Sequence, residues 1–529
     1  MIKPNNKIVI IGGGSAGWMT AAILIKTFPD KDITVIESPD VPIIGVGEST
    51  LASIRDYTRW LGIDEKDFMQ YTDASYKMSI KFTDFYEKDS GSFHYPFGNG
   101  NLDGTLSGIY DWFYKKNLYP DTPVQDFVRS YIPQSTLFET NRFSKDENMN
   151  LVGYNPETDV AYHFDATKFG AWLRDRYCIP RGVKHIQDTV SYVHARQWGV
   201  QSVQLVSDPM AHINADLFID CTGFKSMLLS ALHEPFMSLE DMLPNNSAWA
   251  TRVPYKDKER ELEPYTNCTA IDNGWVWNIP LWSRLGTGYV YSDKFVSDEQ
   301  ALEEYKQYLM SDKMIVPRTR EEVDALEYKN IKMRVGIHER TFVKNVVAIG
   351  LSAGFIEPLE SNGLFSVHQF LFKLVKVLER PATTQWEIDA YNASTYGIFR
   401  NFAEFVAAHY ALSVRDDTEY WKANGNRNYC PGIENLKPQT GQGFYPLQEN
   451  KMQMGFINPK EGITWISTGM NYLLLDSTDI KLNAVGPDKL HVEQMIENFD
   501  TKQARWQAFA STQPTLYQYL KDNIHTDNE

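Results

Sequence analysis

The sequence predicts an α/β protein built on a doubly wound parallel sheet, because three short, largely apolar segments each run into a glycine. These segments are Lys7–Ile11 before Gly12, Ala215–Asp220 before Cys221-Thr222-Gly223, and Asn345–Ile349 before Gly350. Short apolar runs bounded by turn residues are typical of strands buried on both faces of a parallel sheet. Their recurrence suits a sheet whose ligand lies across the carboxyl ends of the strands.

The first of these segments opens a βαβ unit. After the strand Lys7–Ile11, residues 18–28 have the composition of a helix that Pro29 closes. A second apolar run, Ile33–Glu37, then predicts a buried parallel strand. A strand, a crossover helix and a parallel strand together make the unit.

A glycine motif, Gly12-x-Gly14-x-x-Gly17, lies between the first strand and the helix. Gly12 permits the tight turn, Gly14 lets the backbone approach a pyrophosphate, and Gly17 allows close packing of helix and strand. Glu37 ends the second strand, 20 residues after Gly17, where an acid accepts from a ribose hydroxyl. This position predicts a dinucleotide site but does not decide between FAD and NAD.

The length of 529 residues predicts two or three domains, or one large domain with insertions. We expect residues 1–380 to form the discontinuous dinucleotide-binding region, with substrate-region insertions near 85–160 and 240–330. Residues 381–529 are expected to form a mainly helical region that covers the substrate. Within it, residues 430–462 are rich in Pro, Gly, Gln and Asn and predict a long loop.

Composition excludes several classes of function. The net charge of −16, without a block of basic residues, argues against nucleic-acid binding. The four cysteines are far apart and form no C-x-x-C pair, so neither a metal site nor a disulfide framework is predicted. Without a secretory leader or an apolar run of roughly 20 residues, we expect a soluble, cytoplasmic protein that does not bind membranes.

Several separated segments resemble one family, the flavin-dependent tryptophan halogenases. The most specific is Gly274–Pro280, which reads G-W-V-W-N-I-P and matches the family's W-x-W-x-I-P pattern. The resemblance extends to about residue 421. Its other segments are Gly12–Trp18, Ile44–Thr50, His163–Ala166, Phe355–Ser361, Phe405–Tyr410 and Arg415–Thr418.

The resemblance implies a Rossmann-type, flavin monooxygenase-like fold and an oxidoreductase that uses FAD as FADH2. With oxygen and a halide, chloride or bromide, such an enzyme makes hypohalous acid, which halogenates an indole or tryptophan-like ring by electrophilic substitution. No segment resembles a nicotinamide site, so a separate flavin reductase is the expected partner, and a homo-oligomer stays open. The implied cofactor-binding residues are Gly12, Gly14, Ser15, Ala16, Gly17, Glu37, Gly47, Glu48, Ser49, Leu351 and Leu364.

Two residues align with the family's catalytic pair. Lys77 aligns with a lysine that either hydrogen-bonds hypohalous acid or forms a haloamine, and these alternatives stay open. Without the resemblance, a lysine in an alternating strand would be read as a solvated side chain. Glu360 aligns with a glutamate that steers the electrophile or accepts the ring proton. The neighbouring Lys81 and Glu357 are not chosen.

A halide site is implied at Asn362 and Gly363, just before the apolar run Leu364–Leu378. Exposed N–H groups at the start of a helix bind anions without a cation. Asn362 departs from the threonine common in relatives, so the contribution of its side chain and the halide preference stay open. The alternative reading is an ordinary helix cap.

The tryptophan segment implies a barrier between flavin and substrate. By resemblance, Trp275 and Trp277 keep organic molecules away from the flavin, so that its oxidant meets a halide instead. Alternate tryptophans on a strand can also simply pack a core. We expect the catalytic amine and acid to face each other across a cavity that the tryptophans wall off from the flavin.

The substrate pocket is predicted from aromatic residues. Phe97 matches a family residue that stacks on the indole, and Tyr95 stands where relatives often have a histidine. Residues 440–470, which should supply the opposite wall, depart strongly, so indole or another small aromatic fits as well as tryptophan. The candidates there are Trp465, Phe444, Tyr445 and Phe456.

Two alternative functions compete with halogenation. A flavin-dependent aromatic hydroxylase would usually carry an aspartate after Gly350, where this chain has Leu351 and Ser352. A flavin-binding protein without halogenating activity would not need Lys77 and Glu360. Direct NADPH oxidation without a reductase would favour the first alternative. Halide-dependent peroxide loss during flavin reoxidation would distinguish an enzyme from the second.

Overall fold

The computed structural model describes residues 6–40, 47–98, 100, 111–112, 115–116, 119–145, 151–430, 433, 459–471 and 489–526. The chain forms two compact units. Unit 1 comprises Met1–Ala74, His163–Asn246 and Lys332–Arg400, and unit 2 comprises Ser75–Tyr162, Ser247–Ile331 and Asn401–Glu529. The predicted domain limit at residue 380 stays a prediction.

Unit 1 is built on a six-stranded sheet that confirms the predicted doubly wound fold. Five neighbouring strands are parallel, and the edge strand Phe342–Val343 is antiparallel. The three glycine-ended strands lie side by side, so their carboxyl ends meet at one edge. The order across the sheet is Phe342–Val343, Val346–Ala348, Leu217–Asp220, Lys7–Ile11, Asp32–Glu37 and Lys184–Gln187.

The two helices that matter most in unit 1 are Ser15–Thr27 and Gly363–Leu378. The first begins three residues before the predicted start, and its residues 17–25 are all buried. Other helical segments are Ile54–Leu61, Glu65–Tyr71, Ala166–Trp172, Leu173–Cys178, Ile179–Arg181, Gly223–Lys225, Met227–Ala231, Gly350–Ser352 and Pro358–Glu360. The remaining strands are Glu48–Ser49, Val190–Arg196, Gly199–Leu205, Ile213–Asn214, Phe236–Ser238, Gly336–His338 and Gly354–Phe355.

Unit 2 contains a seven-stranded sheet that the sequence analysis does not predict. The parallel pair Ser79–Thr83 and Tyr265–Ile271 joins segments far apart in the chain, and four further neighbouring pairs are antiparallel. The order across the sheet is Lys329–Lys332, Ser247–Pro254, Arg284–Tyr291, Gly274–Pro280, Tyr265–Ile271, Ser79–Thr83 and Ser92–Pro96. A short strand, Ser75–Lys77, precedes Ser79–Thr83.

Helices pack around this sheet. Asp298–Met310, which starts with a capping box at Ser297, buries Tyr305 and Leu309 in a core with Val276 and Tyr289. Further helices of unit 2 are Asp126–Tyr131, Ser135–Glu139, Lys258–Glu261, Arg320–Asp324, Glu419–Gly425, Pro459–Gly469, Lys489–Ser511 and Leu516–Asn523. Strand Ala161–Phe164 and helix Gln385–Ala411 each contribute residues to both units.

In residues 381–526, the described secondary-structure elements are all helices, and the predicted substrate-covering region stays a prediction. The loop predicted for residues 430–462 is wrong at its end, because helix Pro459–Gly469 starts inside it. Most of the remaining loop lies outside the described residues. Among the described residues, no helix has the length and apolarity that crossing a membrane requires.

Candidate active site

The glycine turn of unit 1 shows which glycines the fold itself needs. Gly12 has a φ of +111°, and a Cβ added there would lie 2.2 Å from the carbonyl oxygen of Cys221. A Cβ on Gly17 would lie 1.9 Å from the carbonyl oxygen of Gly12. A Cβ on Gly14, by contrast, would meet no atom within 4 Å. Gly14 therefore borders open space, as a residue that a pyrophosphate approaches should.

The helix after this turn has an N-terminus suited to an anion. Gly14 is its N-cap, no side chain caps it, and its first turn contains no acidic residue. Ser15 Oγ donates to the carbonyl oxygen of Ala166 (2.9 Å), and Ala16 packs against Gly350, where a Cβ would be 2.8 Å away. The N–H groups and positive dipole end are thus available to phosphate. These residues fit a dinucleotide cofactor.

Glu37 ends its strand, as predicted, and its side chain folds against the glycine turn. A Cβ on Gly13 would lie 2.2 Å from the Glu37 carboxyl carbon. Oε2 of Glu37 lies 2.9 Å from Nε2 of His185 and 3.8 Å from a guanidinium nitrogen of Arg174. The sequence does not predict these two neighbours, which come from distant parts of the chain.

The segment Glu48–Ser49 packs on the turn that precedes helix Gly363–Leu378. Ser49 Oγ lies 3.0 Å from Ser361 Oγ, and Ser361 has a left-handed φ of +58°. A Cβ on Gly363 would lie 2.8 Å from Oε1 of Glu48, so only glycine lets this carboxylate come so close. Gly47 also has a positive φ, of +107°. Predicted cofactor residues and predicted halide residues are therefore neighbours in unit 1.

The predicted halide residues lie at the start of helix Gly363–Leu378. Asn362 is the N-cap residue, but its side chain donates to the carbonyl oxygen of Ile356 (3.3 Å) and makes no capping bond. Asn362 thus occupies the cap position of the alternative reading without a side-chain capping bond, and the halide role stays a prediction. Leu364 is buried in the first turn, and Leu351 is half-buried in the segment Gly350–Ser352.

Glu360 and Glu357 are both fully buried in unit 1. The Nδ2 of Asn245 donates to Oε2 of Glu357 (2.8 Å), which gives this carboxylate a structural partner. Glu360 ends the short helical turn Pro358–Glu360, directly before the Ser361 turn. Buried carboxylates are rare unless they are paired or functional.

Lys77 is fully buried in unit 2, unlike an ordinary lysine in a strand. Its Nζ lies 4.9 Å from the centroid of the Phe97 ring. The preceding Tyr76 packs on Phe143, with ring centroids 4.3 Å apart and an interplanar angle of 6°. Lys81 is only half-buried, with Nζ 5.6 Å from the Tyr265 ring centroid. The two lysines thus differ in burial, and the assignment of Lys77 rather than Lys81 stays a prediction.

The predicted substrate aromatics of unit 2 each pack against other aromatic rings. The rings of Tyr95 and Phe97 are 6.4 Å apart and perpendicular, and Tyr95 also contacts Phe405 at 6.0 Å. Trp465 is 4% exposed and packs on Phe127, with ring centroids 4.7 Å apart. Phe444, Tyr445 and Phe456 lie outside the described residues.

Trp275 and Trp277 lie on the same strand of unit 2, with ring centroids 6.2 Å apart. Both are buried, and Trp277 pairs with Gly288 on the neighbouring strand. A Cβ on Gly288 would lie 2.2 Å from the Trp277 ring, so the indole occupies the space a side chain would take. A glycine inside a strand often marks such an approach, and this signal could have identified Gly288.

Two buried titratable groups of unit 2 were not singled out from the sequence. Burial raises the pKa of Glu263 to about 7, partly offset by the hydroxyl of Tyr265 and by Lys81. Burial also holds the pKa of His94 well below its usual value, and its Nδ1 lies 2.9 Å from Ser79 Oγ. These groups lie beside the strand that follows Lys77.

The doubly wound sheet with its dinucleotide turn, together with the W-x-W-x-I-P strand and a buried lysine, defines the class of flavin-dependent halogenating enzymes. The family model for tryptophan halogenase matches residues 7–448. This chain belongs to the tryptophan halogenase family. The resemblance noted in the sequence is therefore confirmed, and the hydroxylase alternative is not favoured.

Individual relatives agree with this assignment. The chain is 31% identical to tryptophan 7-halogenase RebH of Lentzea aerocolonigenes, over 98% of both chains. It is 34% identical to tryptophan 6-halogenase SttH of Streptomyces toxytricini, over 80% of this chain and 81% of the relative. Among solved structures, the VirX1 apo structure has a TM-score of 0.89 and 35% identity, covering 98% of this chain and 100% of that one.

Proposed function

We propose that this halogenase takes FADH2 from a separate flavin reductase and, with O2 and a halide, halogenates indole or a tryptophan-like ring. The balanced reaction converts FADH2, O2, X⁻, H⁺ and the aromatic ArH into FAD, ArX and two waters. The observation that carries the proposal is the fully buried Lys77 amine beside the ring of Phe97. A buried amine beside an aromatic ring can deliver an electrophile to an aromatic substrate, whereas hydroxylation does not need such an amine.

Reduced flavin and oxygen supply the oxidising equivalent that turns halide into hypohalous acid. The chain's own contribution starts with holding the cofactor at the Gly12–Gly17 turn, with Glu37 at the ribose. The halide is held by backbone N–H groups at Asn362 and Gly363, where the Asn362 side chain leaves the helix start uncapped. Trp275 and Trp277 exclude the aromatic substrate from the flavin.

Lys77 delivers the electrophile to the ring. Its amine either donates a hydrogen bond to hypohalous acid, which sharpens the electrophile, or carries the halogen as a haloamine. Both routes need an amine shielded from bulk water, and Lys77 is fully buried. In the transfer, the ring carbon bonds to the halogen, the oxygen–halogen or nitrogen–halogen bond breaks, and the ring later loses its proton.

Glu360 accepts that ring proton as a general base. Its full burial supports this role, because it keeps the carboxylate away from bulk water. Phe97 and Tyr95 stack against the substrate ring, and Trp465 contributes to the wall through the aromatic cluster around Phe127. Homo-oligomerisation stays a prediction.

The test combines the enzyme, a flavin reductase, NADH, oxygen and each halide with indole or tryptophan, followed by mass spectrometry. We expect halide-dependent haloindole. Glu360→Gln should lower its rate by about 10²- to 10⁴-fold, the range of general base catalysis. Glu357→Gln is the matched control, because it alters an equally buried carboxylate with an amide partner. Hydroxyindole that forms without halide would contradict the proposal.

A further inference from the structure

Ser75 lies two residues before Lys77 on the same short strand, Ser75–Lys77. Its side chain is fully buried, and its hydroxyl donates to the carbonyl oxygen of Pro280 at 2.5 Å. Pro280 is the last residue of the strand Gly274–Pro280, which carries both tryptophans. Because side chains alternate along a strand, those of Ser75 and Lys77 point to the same face.

The backbone on the other side of Lys77 is also held. Met78 N–H donates to the carbonyl oxygen of Pro264 (2.7 Å), and Phe97 N–H donates to that of Met78 (3.0 Å). The second bond connects the segment of Lys77 to the residue whose ring faces the amine. The Ser75 hydroxyl adds a link on the N-terminal side, and this link runs to the tryptophan strand.

We propose that Ser75 is a positioning residue, whose hydrogen bond to Pro280 fixes the Lys77 amine relative to the tryptophan strand. The inference rests on the proposed function of Lys77. Its consequence is efficient capture: hypohalous acid reaches an amine held in one place instead of escaping into water. A neutral hydrogen bond of ordinary strength corresponds to about a fivefold change in an equilibrium or a partition ratio.

Ser79 provides a matched control. It lies two residues after Lys77, is equally buried, and its hydroxyl bonds Nδ1 of His94 (2.9 Å) rather than the tryptophan strand. Ser75→Ala and Ser79→Ala therefore each remove one buried hydroxyl at the same distance in sequence from Lys77. A merely structural role for Ser75 predicts that both variants lose stability and behave alike per folded molecule.

The first measurement is coupling: haloindole formed per FADH2 oxidised, with escaped hypohalous acid trapped by an added dione. We expect Ser75→Ala to lose about fivefold in coupling, with the missing halogen appearing in the trap, and Ser79→Ala to keep the wild-type ratio. Ser75→Cys, which retains a weaker donor, should lie between Ser75→Ala and wild type. If Ser75→Ala does not fold, Ser75→Cys tests the positioning role of Ser75 in its place.

The second measurement needs no flavin. In ¹³C-lysine-labelled protein, the Cε protons of Lys77, assigned by their loss in Lys77→Arg, should be shifted upfield by the Phe97 ring. Ser75→Ala should reduce this shift and Ser79→Ala should not. Wild-type coupling and an unchanged Lys77 signal in both Ser75 variants would overturn the inference. Absence of haloindole from the wild-type enzyme would instead reject the proposed function.

Discussion

Replacing Gly14 by alanine tests cofactor binding at the glycine turn separately from the folding of that turn. Gly14 has φ −74° and ψ −177°, which alanine adopts without strain, and the new methyl group would meet no atom within 4 Å. Unfolding free energy should stay level or rise by about 0.4–1 kcal/mol. For 529 residues at ~2.1 cal/mol/K per residue, this shifts Tm by no more than about 1 °C.

The same methyl group would stand in the open space through which we propose that the pyrophosphate approaches. Losing one hydrogen bond to a charged oxygen costs about 1.5–3 kcal/mol, which is roughly 10- to 100-fold in the Kd for FAD. Titration by flavin fluorescence measures this Kd, and thermal unfolding of the apoprotein measures stability. Gly17→Ala is the contrasting variant, because its Cβ would lie 1.9 Å from the Gly12 oxygen and should destabilise the fold itself.

Wild-type FAD affinity in Gly14→Ala would refute the assignment of this turn to the cofactor. An apoprotein Tm lowered by several degrees would refute the packing on which the argument depends. Only the combination of a stable apoprotein and weakened FAD binding agrees with the structure.

Three further substitutions test unit 2. Gly288→Ala should lower the unfolding free energy by about 1–3 kcal/mol, because its Cβ would lie 2.2 Å from the Trp277 ring. Gly397→Ala is the control, because its Cβ would meet no atom within 4 Å and should not lower that free energy. Equal effects of the two substitutions in denaturant titrations would contradict this. Burial raises the pKa of Glu263 from its ordinary 4.5 to about 7, so the unfolded chain loses this proton first and stability should fall as pH rises between these values. Glu263→Gln should flatten that slope in unfolding curves at pH 5 and pH 8, and an unchanged slope would exclude Glu263 as its source. Phe97→Leu removes the ring whose centroid lies 4.9 Å from the Lys77 amine. Because stacking contributes about 0.5–1.5 kcal/mol, KM for indole should rise roughly 2- to 13-fold. Unchanged KM would place the substrate elsewhere.

The dinucleotide half of the fold was predictable because its information is local. Strand, glycine turn, helix and acidic strand end follow one another within residues 7–37, and the structure has them with ends within three residues of the prediction. The basic neighbours of Glu37 were not predictable, since His185 comes from a strand more than a hundred residues away. Sequence spacing does not encode which distant strand becomes the neighbour.

The second unit was harder for the same reason. Its sheet depends on pairing Ser79–Thr83 with Tyr265–Ile271, and nothing in either segment specifies the partner. The burial of Lys77 was not predictable either, because an alternating strand taken alone predicts a solvated lysine. Only the resemblance to a family marked Lys77 in the sequence, and neither spacing nor composition could have indicated the bond between Ser75 and Pro280.

The role of Lys77 is tested most directly by Lys77→Ala in a single turnover with FADH2, oxygen, bromide and indole. The account predicts FAD affinity and flavin oxidation like the wild type, no bromoindole by mass spectrometry, and hypobromous acid recovered in an added trap. Lys81→Ala, which alters the half-buried lysine four residues on, should still brominate indole. Bromoindole formed by Lys77→Ala at the wild-type rate would contradict the account.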